Sequence, residues 1–243
     1  MLKFVLAGTQ RAGTSLVNST LNSHSHIRCY GEVFLYANGK GKNMPGSYRQ
    51  FIDRRGWLGW ALHYLHRSAS IRQCLDELYS STEYEAVGFK LMLGQVTRNP
   101  VIAEYLTDHD VRVVYVFREN VLKTHLSRVS AKERGLYISK KAVNVSTVHV
   151  ETKNLLDSLQ SIAGEQTRWR DIFKDLPGIQ IHYEDFVRDQ SSEIARIEDF
   201  LEVSHETLST SVTKINPDDM RQYVENYDEL AEYLQGTEFE VFL

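Results

Sequence analysis

The hydrophobic positions of this chain change period along its length, and each change marks an element. Phe4-Val5-Leu6-Ala7 and Val111-Arg112-Val113-Val114-Tyr115-Val116-Phe117 are nearly continuous apolar runs, the pattern of strands buried on both faces of a parallel sheet. With shorter runs of the same kind, strands are predicted at about 3–7, 27–30, 86–91, 111–117 and 178–183. Between them apolar residues recur at helical spacing. Leu16, Val17 and Leu21 form one stripe, and Val121, Leu122, Leu126 and Val129 another. Leu155, Leu156, Leu159 and Ile162 make a third; Trp169, Ile172, Phe173 and Leu176 make a fourth, stopped by Pro177-Gly178. Helices are expected near 14–22, 70–79, 99–107, 120–130, 151–163, 165–176, 191–202 and 227–234. The alternation of strand and helix predicts an α/β fold, a P-loop-type three-layer sandwich with a central parallel sheet flanked by helices.

Two segments fit neither period. Residues 36–67 open with the flexible "NGKGKNMPGS" and then gather Tyr48, Phe51, Trp57, Trp60 and Tyr64 among Arg49, Arg54, Arg55 and Arg67. Residues 131–149 are basic with weak periodicity. Both read as loops or short helices over a site, where rings can stack on a sugar or aryl group and arginines can attract an acidic one. For any one ring, anchoring the segment to the core is the competing role. The stretch 36–80 is read as an insert on the acceptor side of a single domain, 1–243.

Composition narrows the class. A length of 243 residues allows one full α/β core, and 42% hydrophobic with 25% charged residues is ordinary for a soluble globular protein. No apolar run approaches the ~20 residues of a membrane span, and Met1-Leu2-Lys3-Phe4 passes straight into the first strand without a signal peptide. The net charge of −4 gives no reason to expect general nucleic-acid binding. Cys29 and Cys74 lack metal-ligand spacing and read as reduced thiols; His24 and His26, two apart in a loop, do not have helical metal-ligand spacing either. No metal is expected.

The chemistry concentrates at the end of the first strand. Gly8-Thr9-Gln10-Arg11-Ala12-Gly13-Thr14-Ser15 has the G-x-x-x-x-G-x-S spacing of a phosphate loop, but Thr14 stands where a nucleotide kinase carries lysine. The positive charge lies inside the loop, at Arg11. A strand, a glycine-flanked turn and a helix start direct backbone N–H groups at an anion. The run Val111–Phe117 ends in Arg118, where a phosphate-loop ATPase or GTPase places an aspartate for magnesium. Asn120 is placed to cap the next helix.

The stretch "AGTQRAGTSLVNSTLNSHSHIRCYGEVF" resembles the donor segment of the sulfotransferases, closest to their tyrosylprotein, bacterial carbohydrate and nodulation-factor branches. The resemblance implies that Arg11, Ala12, Gly13, Thr14 and Ser15 hold the 5′-phosphosulfate of 3′-phosphoadenosine 5′-phosphosulfate (PAPS). It implies that Glu32 is the base that takes the acceptor proton. "RENVLKTHLSR" is similar to the family's second motif, with Arg118 and Ser127 on the 3′-phosphate. Lys90, in "VGFKL", resembles the family's second cation near the bridging oxygen. Lys214, in "TKINP", is either a late phosphate contact or a solvated lysine. "HYEDFVRD" is similar to a structural segment of the family, and the tail "NYDELAEYLQGTEFEVFL" to the end of bacterial members. No copy of the cytosolic branch's C-terminal "RKG" loop is found, which leaves the adenine contacts unassigned.

The implied reaction moves a sulfuryl group from PAPS to an acceptor hydroxyl of a glycan, then of a lipid or small-molecule alcohol, then of a tyrosine. A kinase-like phosphoryl transferase is opposed by Thr14 and Arg118, while a non-catalytic nucleotide-binding domain stays open. The family's Golgi members carry an N-terminal anchor, and its absence here favours a cytoplasmic, bacterial enzyme or an excised domain. Oligomeric state is not readable.

Overall fold

The computed structural model describes residues 1–35, 46–135, 147–212, 216, 217 and 219–243. Among these, the predicted apolar runs form one sheet: β1 (Leu2–Gly8), β2 (Ile27–Glu32), β3 (Ala86–Met92), β4 (Arg112–Phe117) and β5 (Gly178–His182). All neighbours are parallel, in the order β2-β3-β1-β4-β5. The alternation within each run decides the faces. Val5, Ala7, Val87, Phe89, Val113 and Tyr115 look to one side; Phe4, Leu6, Ala86, Val114 and Val116 look to the other.

Helices cover both sides. On the Phe4 side, α1 (Thr14–Leu21) contributes Val17 and Leu21, and α9 (Tyr183–Arg188) and α10 (Gln190–Leu201) contribute Phe186, Ile194 and Ile197. The Val5 side carries α2 (Tyr48–Arg54), α3 (Gly56–Leu65), α4 (Arg67–Leu78), α5 (Leu93–Arg98) and α6 (Val101–Asp108), joined by Trp169 and Phe173. A third cluster unites α7 (Val121–Arg134), α8 (Leu155–Ile172) and α11 (Tyr227–Leu234) through Leu122, Leu126, Leu159, Leu230 and Leu234.

The chain enters at the centre of the sheet, runs outward to β2 and back to β3, then crosses to β4 on the other side of β1. That reversal leaves a crevice at the carboxyl ends of the central strands, where open α/β sheets take their ligands. The edge strand β2 is tied to α1: Asn22 donates to the Cys29 carbonyl (2.7 Å) and accepts from its N–H (3.1 Å), while Asn18 donates to the Tyr30 carbonyl (3.1 Å). These side chains satisfy backbone groups of β2 that would otherwise be an open edge.

Two expectations are corrected, and a third is narrowed from loops or short helices to helices. The helices placed at 151–163 and 165–176 are one helix, α8: Leu155, Leu159, Ile162 and Trp169 share its buried face, so packing carries the helix through Gly164 despite that residue's low propensity. Tyr183, expected as the last residue of a strand, instead begins α9. Most of residues 48–67 are helical, and the aromatic residues there split by role: Tyr48 and Phe51 are core, whereas Trp57 and Tyr64 are exposed. Tyr48 also donates to Ser70 Oγ at 2.9 Å. Parts of both irregular segments, 36–45 and 136–146, lie outside the described residues.

A Cβ at Gly164 would meet nothing within 4 Å. Gly164→Ala is therefore expected to raise stability by about 0.5–1 kcal/mol and Gly164→Pro to lower it by about 3 kcal/mol or more, read from urea midpoints. A destabilising alanine would mean that the helix breaks at this point.

Candidate functional site

The site grows from the end of β1. After Gly8 the chain turns through Thr9, whose carbonyl accepts from the Ala12 N–H at 3.3 Å. Arg11 and Gly13 have φ values of 71° and 97°, in the left-handed region. At Gly13 a second constraint applies, because a Cβ there would lie 2.4 Å from Cδ2 of Tyr183. The turn is thus open only to glycine. No side chain caps α1. Its first N–H groups have no partner within the helix and face the crevice with the positive end of the helix dipole.

Period 2 alone would put Glu32 on the wrong face of the sheet. Ile27 and Cys29 point to the α1 side, and Tyr30 packs against the opposite cluster, so Glu32 should follow Tyr30. The pairing of β2 with β3 shifts register between Tyr30 and Glu32, bringing Glu32 opposite Lys90. One residue of slip turns the carboxylate toward α1. Lys90, only 9% exposed, donates to Ser15 Oγ at 3.0 Å and pairs with Glu32 Oε1 at 3.1 Å. Gln95 of α5 donates to the other oxygen of Glu32 at 3.3 Å.

The second cation lies beyond β4. Arg118 has a buried Nε without a hydrogen-bond partner, and its guanidinium lies 4.8 Å from the centre of the Tyr183 ring. The same ring crowds Gly13, so Tyr183 touches both the loop and Arg118. Glu184 accepts from the N–H groups of Glu119 (3.1 Å) and Asn120 (3.3 Å), and Gln166 of α8 donates to the Arg118 carbonyl at 2.9 Å. Asn120 caps α7 as expected, accepting from the Lys123 N–H at 2.7 Å.

The sequence-predicted residues fall into three connected groups. Ser15, Lys90 and Glu32 are in direct contact. Arg11 Nε donates to Ser127 Oγ at 2.9 Å, which joins the loop to α7. Arg118 reaches the loop through Tyr183. Ala12 is fully buried and offers only its backbone, and Thr14 is buried at the start of α1. Lys214 lies outside the described residues. Tyr183, Glu184, Gln95 and Gln166 were not singled out from sequence. For the first two, "HYEDF" was the available signal, but nothing in it shows which loops they touch.

Cys29 lies behind this constellation and is not a nucleophile. Burial pushes its thiol up to about 12, against the opposing influence of the Asn18 hydrogen bond, Lys90 and Arg28. Arg128 donates to the Gln10 carbonyl at 3.4 Å and pairs with Glu165 at 2.9 Å. It borders a cleft of about 400 Å³ between α7 and α8, lined also by His125, Asp157 and Ser158. That cleft opens beside the loop. The arrangement as a whole offers an uncapped helix start, two arginines and a lysine to an anion, with a carboxylate at hand to accept a proton.

Residues 4–207 match the sequence model of the sulfotransferase family. No curated protein matches the chain in sequence. The fold is similar to that of the sulfotransferase domain from the curacin biosynthetic pathway, with a TM-score of 0.54 at 17% identity over 85% of this chain and 76% of that one. It is also similar to the sulfotransferase domain of the Synechococcus PCC 7002 olefin synthase, with a TM-score of 0.50 at 13% identity over 92% and 83%. Mouse sulfotransferase SULT7A1 complexed with PAP gives 0.50 at 11% identity over 99% and 86%.

Gly13→Ala is expected to cost about 1–3 kcal/mol of stability through backbone strain and the clash with Tyr183. Inorganic sulfate is expected to raise the melting temperature of the unaltered protein, and this variant should lose that rise. A variant that melts normally and still responds to sulfate would contradict this account of the turn.

Proposed function

The chain belongs to the sulfotransferase family, and from that premise we propose that it transfers a sulfuryl group from PAPS to an acceptor hydroxyl, a sugar hydroxyl before a lipid, small-molecule or tyrosine one. The observation that carries this reading is the contact of Lys90 with both Ser15 and Glu32 beside the uncapped start of α1. It sets a cation for the leaving group and a base for the acceptor side by side.

The donor fits the residues present. The turn at Gly13 leaves room for nothing but backbone, which suits close approach of a phosphosulfate. Arg118, with a buried Nε that has no hydrogen-bond partner, suits a second anion, the 3′-phosphate, and Ser127 accepts from the loop arginine, Arg11. The mouse sulfotransferase of similar fold is complexed with PAP, which supports this choice of donor. Lys214 stays a candidate contact by resemblance.

In the transfer, the bond between sulfur and the bridging oxygen of PAPS breaks as one forms to the acceptor oxygen. The acceptor proton goes to Glu32, and adenosine 3′,5′-bisphosphate leaves. Arg11, Lys90 and the N–H groups of 13–15 would meet the charge that develops on the bridging oxygen, the Ala12 N–H being bonded to the Thr9 carbonyl. Lys90 then acts as a link. A donor oxygen that draws its protons weakens the pair with Glu32 and frees that carboxylate to accept a proton. Gln95 holds the carboxylate's other oxygen meanwhile.

Calorimetry with adenosine 3′,5′-bisphosphate in the absence of magnesium tests the reading. Micromolar or tighter binding is expected, weakened about tenfold or more by Arg11→Ala and by Arg118→Ala, the loss typical of a charge-assisted hydrogen bond. Glu32→Gln should bind the bisphosphate normally and lose about 10²–10⁴-fold in transfer. Binding of ATP alone, and only with magnesium, would return the site to phosphoryl transfer.

A further inference from the structure

The solvent-facing side of α3 is apolar. In this ten-residue helix, Gly56-Trp57-Leu58-Gly59-Trp60-Ala61-Leu62-His63-Tyr64-Leu65, the inward face is fixed by Gly59, which is buried, by Trp60, which packs on the core, and by His63, which lies 3.0 Å from the Tyr48 hydroxyl. Helical spacing then puts Trp57, Leu58, Ala61, Tyr64 and Leu65 on the opposite side. Trp57 is 77% exposed, Leu58 60%, Tyr64 75% and Leu65 74%. Four of the ten exposed large hydrophobic side chains among the described residues therefore fall on one face of one helix. A surface helix of a soluble domain ordinarily presents the reverse pattern.

Cations frame this stripe at both ends. Arg54 and Arg55 precede it, sharing Glu77 between them, and Arg67 follows it. Over residues 48–67 there are four arginines and one acid, Asp53, in a chain whose net charge is −4; Arg49 pairs with Asp53 and Glu77 offsets one of Arg54 and Arg55, so the surface keeps a net positive charge. Two occupants compete for such a surface. A second copy of the chain would bring Arg54 and Arg55 against Arg67 in an antiparallel pairing, or each against itself in a parallel one. Either way like charges meet. A ten-residue helix is also only ~15 Å long, too short to supply the roughly 800 Å² per partner of a stable interface. An anionic lipid surface has neither difficulty. Leucine and the rings of Trp57 and Tyr64 suit the boundary between headgroup and acyl chain, and arginines at the helix ends suit the phosphates above it.

We propose that α3 is an interfacial docking helix that lays its Trp57–Leu65 face on an anionic membrane surface without crossing it. No helix among the described residues is long and apolar enough to span a bilayer, so attachment is shallow and reversible. The inference is independent of the acceptor and of the residues that hold the donor.

Flotation with phosphatidylcholine vesicles, with and without phosphatidylglycerol, tests it on the full chain. Binding to the anionic vesicles at low salt is expected, with loss on adding salt because the arginine contribution is screened. Trp57→Ser combined with Leu65→Ser should lower the partition coefficient about tenfold or more, while melting temperature and binding of adenosine 3′,5′-bisphosphate stay unchanged, because both side chains are exposed and outside the donor site. Failure to bind anionic vesicles at low salt would overturn the proposal, as would binding that the double variant leaves intact. Light scattering that finds a dimer dissolved by the same variant would assign the face to a second copy instead.

Discussion

Lys90 imposes the constraint from which the arrangement at the sheet edge follows. All seven residues of β3 are buried, and one of them is a lysine. A buried ammonium must be paired and hydrogen-bonded or give up its proton. The two partners it finds, Ser15 and Glu32, come from the start of α1 and the end of β2. Three separate segments are thereby held in one place by one charge. Well-packed apolar side chains would often give equal or greater stability than such a pair, so stability alone is a weak reason for it. Its position, next to the uncapped end of α1, accords with use in chemistry.

The second cation is held differently. Arg118 reaches the loop through the ring of Tyr183, which lies against Gly13 on one side and the guanidinium on the other. Glu184 fixes the turn after β4 from the same short helix by accepting from two consecutive N–H groups. The start of α9 therefore sets the relation between the loop after β1 and the loop after β4. Neither residue needs to touch a ligand for its removal to be felt at both cations.

How far this was legible in the sequence depends on range. The central strands β1, β3 and β4 were, because their apolar runs report burial on both faces; the edge strands β2 and β5 carry mixed, partly exposed patterns. The loop was, because Gly8, Arg11, Gly13 and Ser15 are neighbours in sequence. The contact between Lys90 and Glu32 was not, since it depends on a parallel pairing across 58 residues and on a register shift that reverses the face of Glu32. Strict alternation would have assigned that carboxylate to the wrong side. The junction at Gly164 misled for a related reason: only tertiary packing reveals that Trp169 continues the face begun by Leu155, while Ile172, read into the second stripe, is exposed at the end of the helix.

The aromatic segment shows the same limit and turns it to account. From sequence, Tyr48, Phe51, Trp57, Trp60 and Tyr64 are equivalent rings among arginines. The fold sorts them: Tyr48 and Phe51 anchor α2 to the sheet, Trp60 and His63 close the gap beneath α3, and Trp57 and Tyr64 are left outside with Leu58 and Leu65. A helix that needed only to be anchored would carry polar residues at those outer positions, and this one carries none. Burying them on water-free surroundings would gain what folding the isolated chain does not. The anchoring and the outward display are thus separate properties of one short segment, and the core accounts for the first alone.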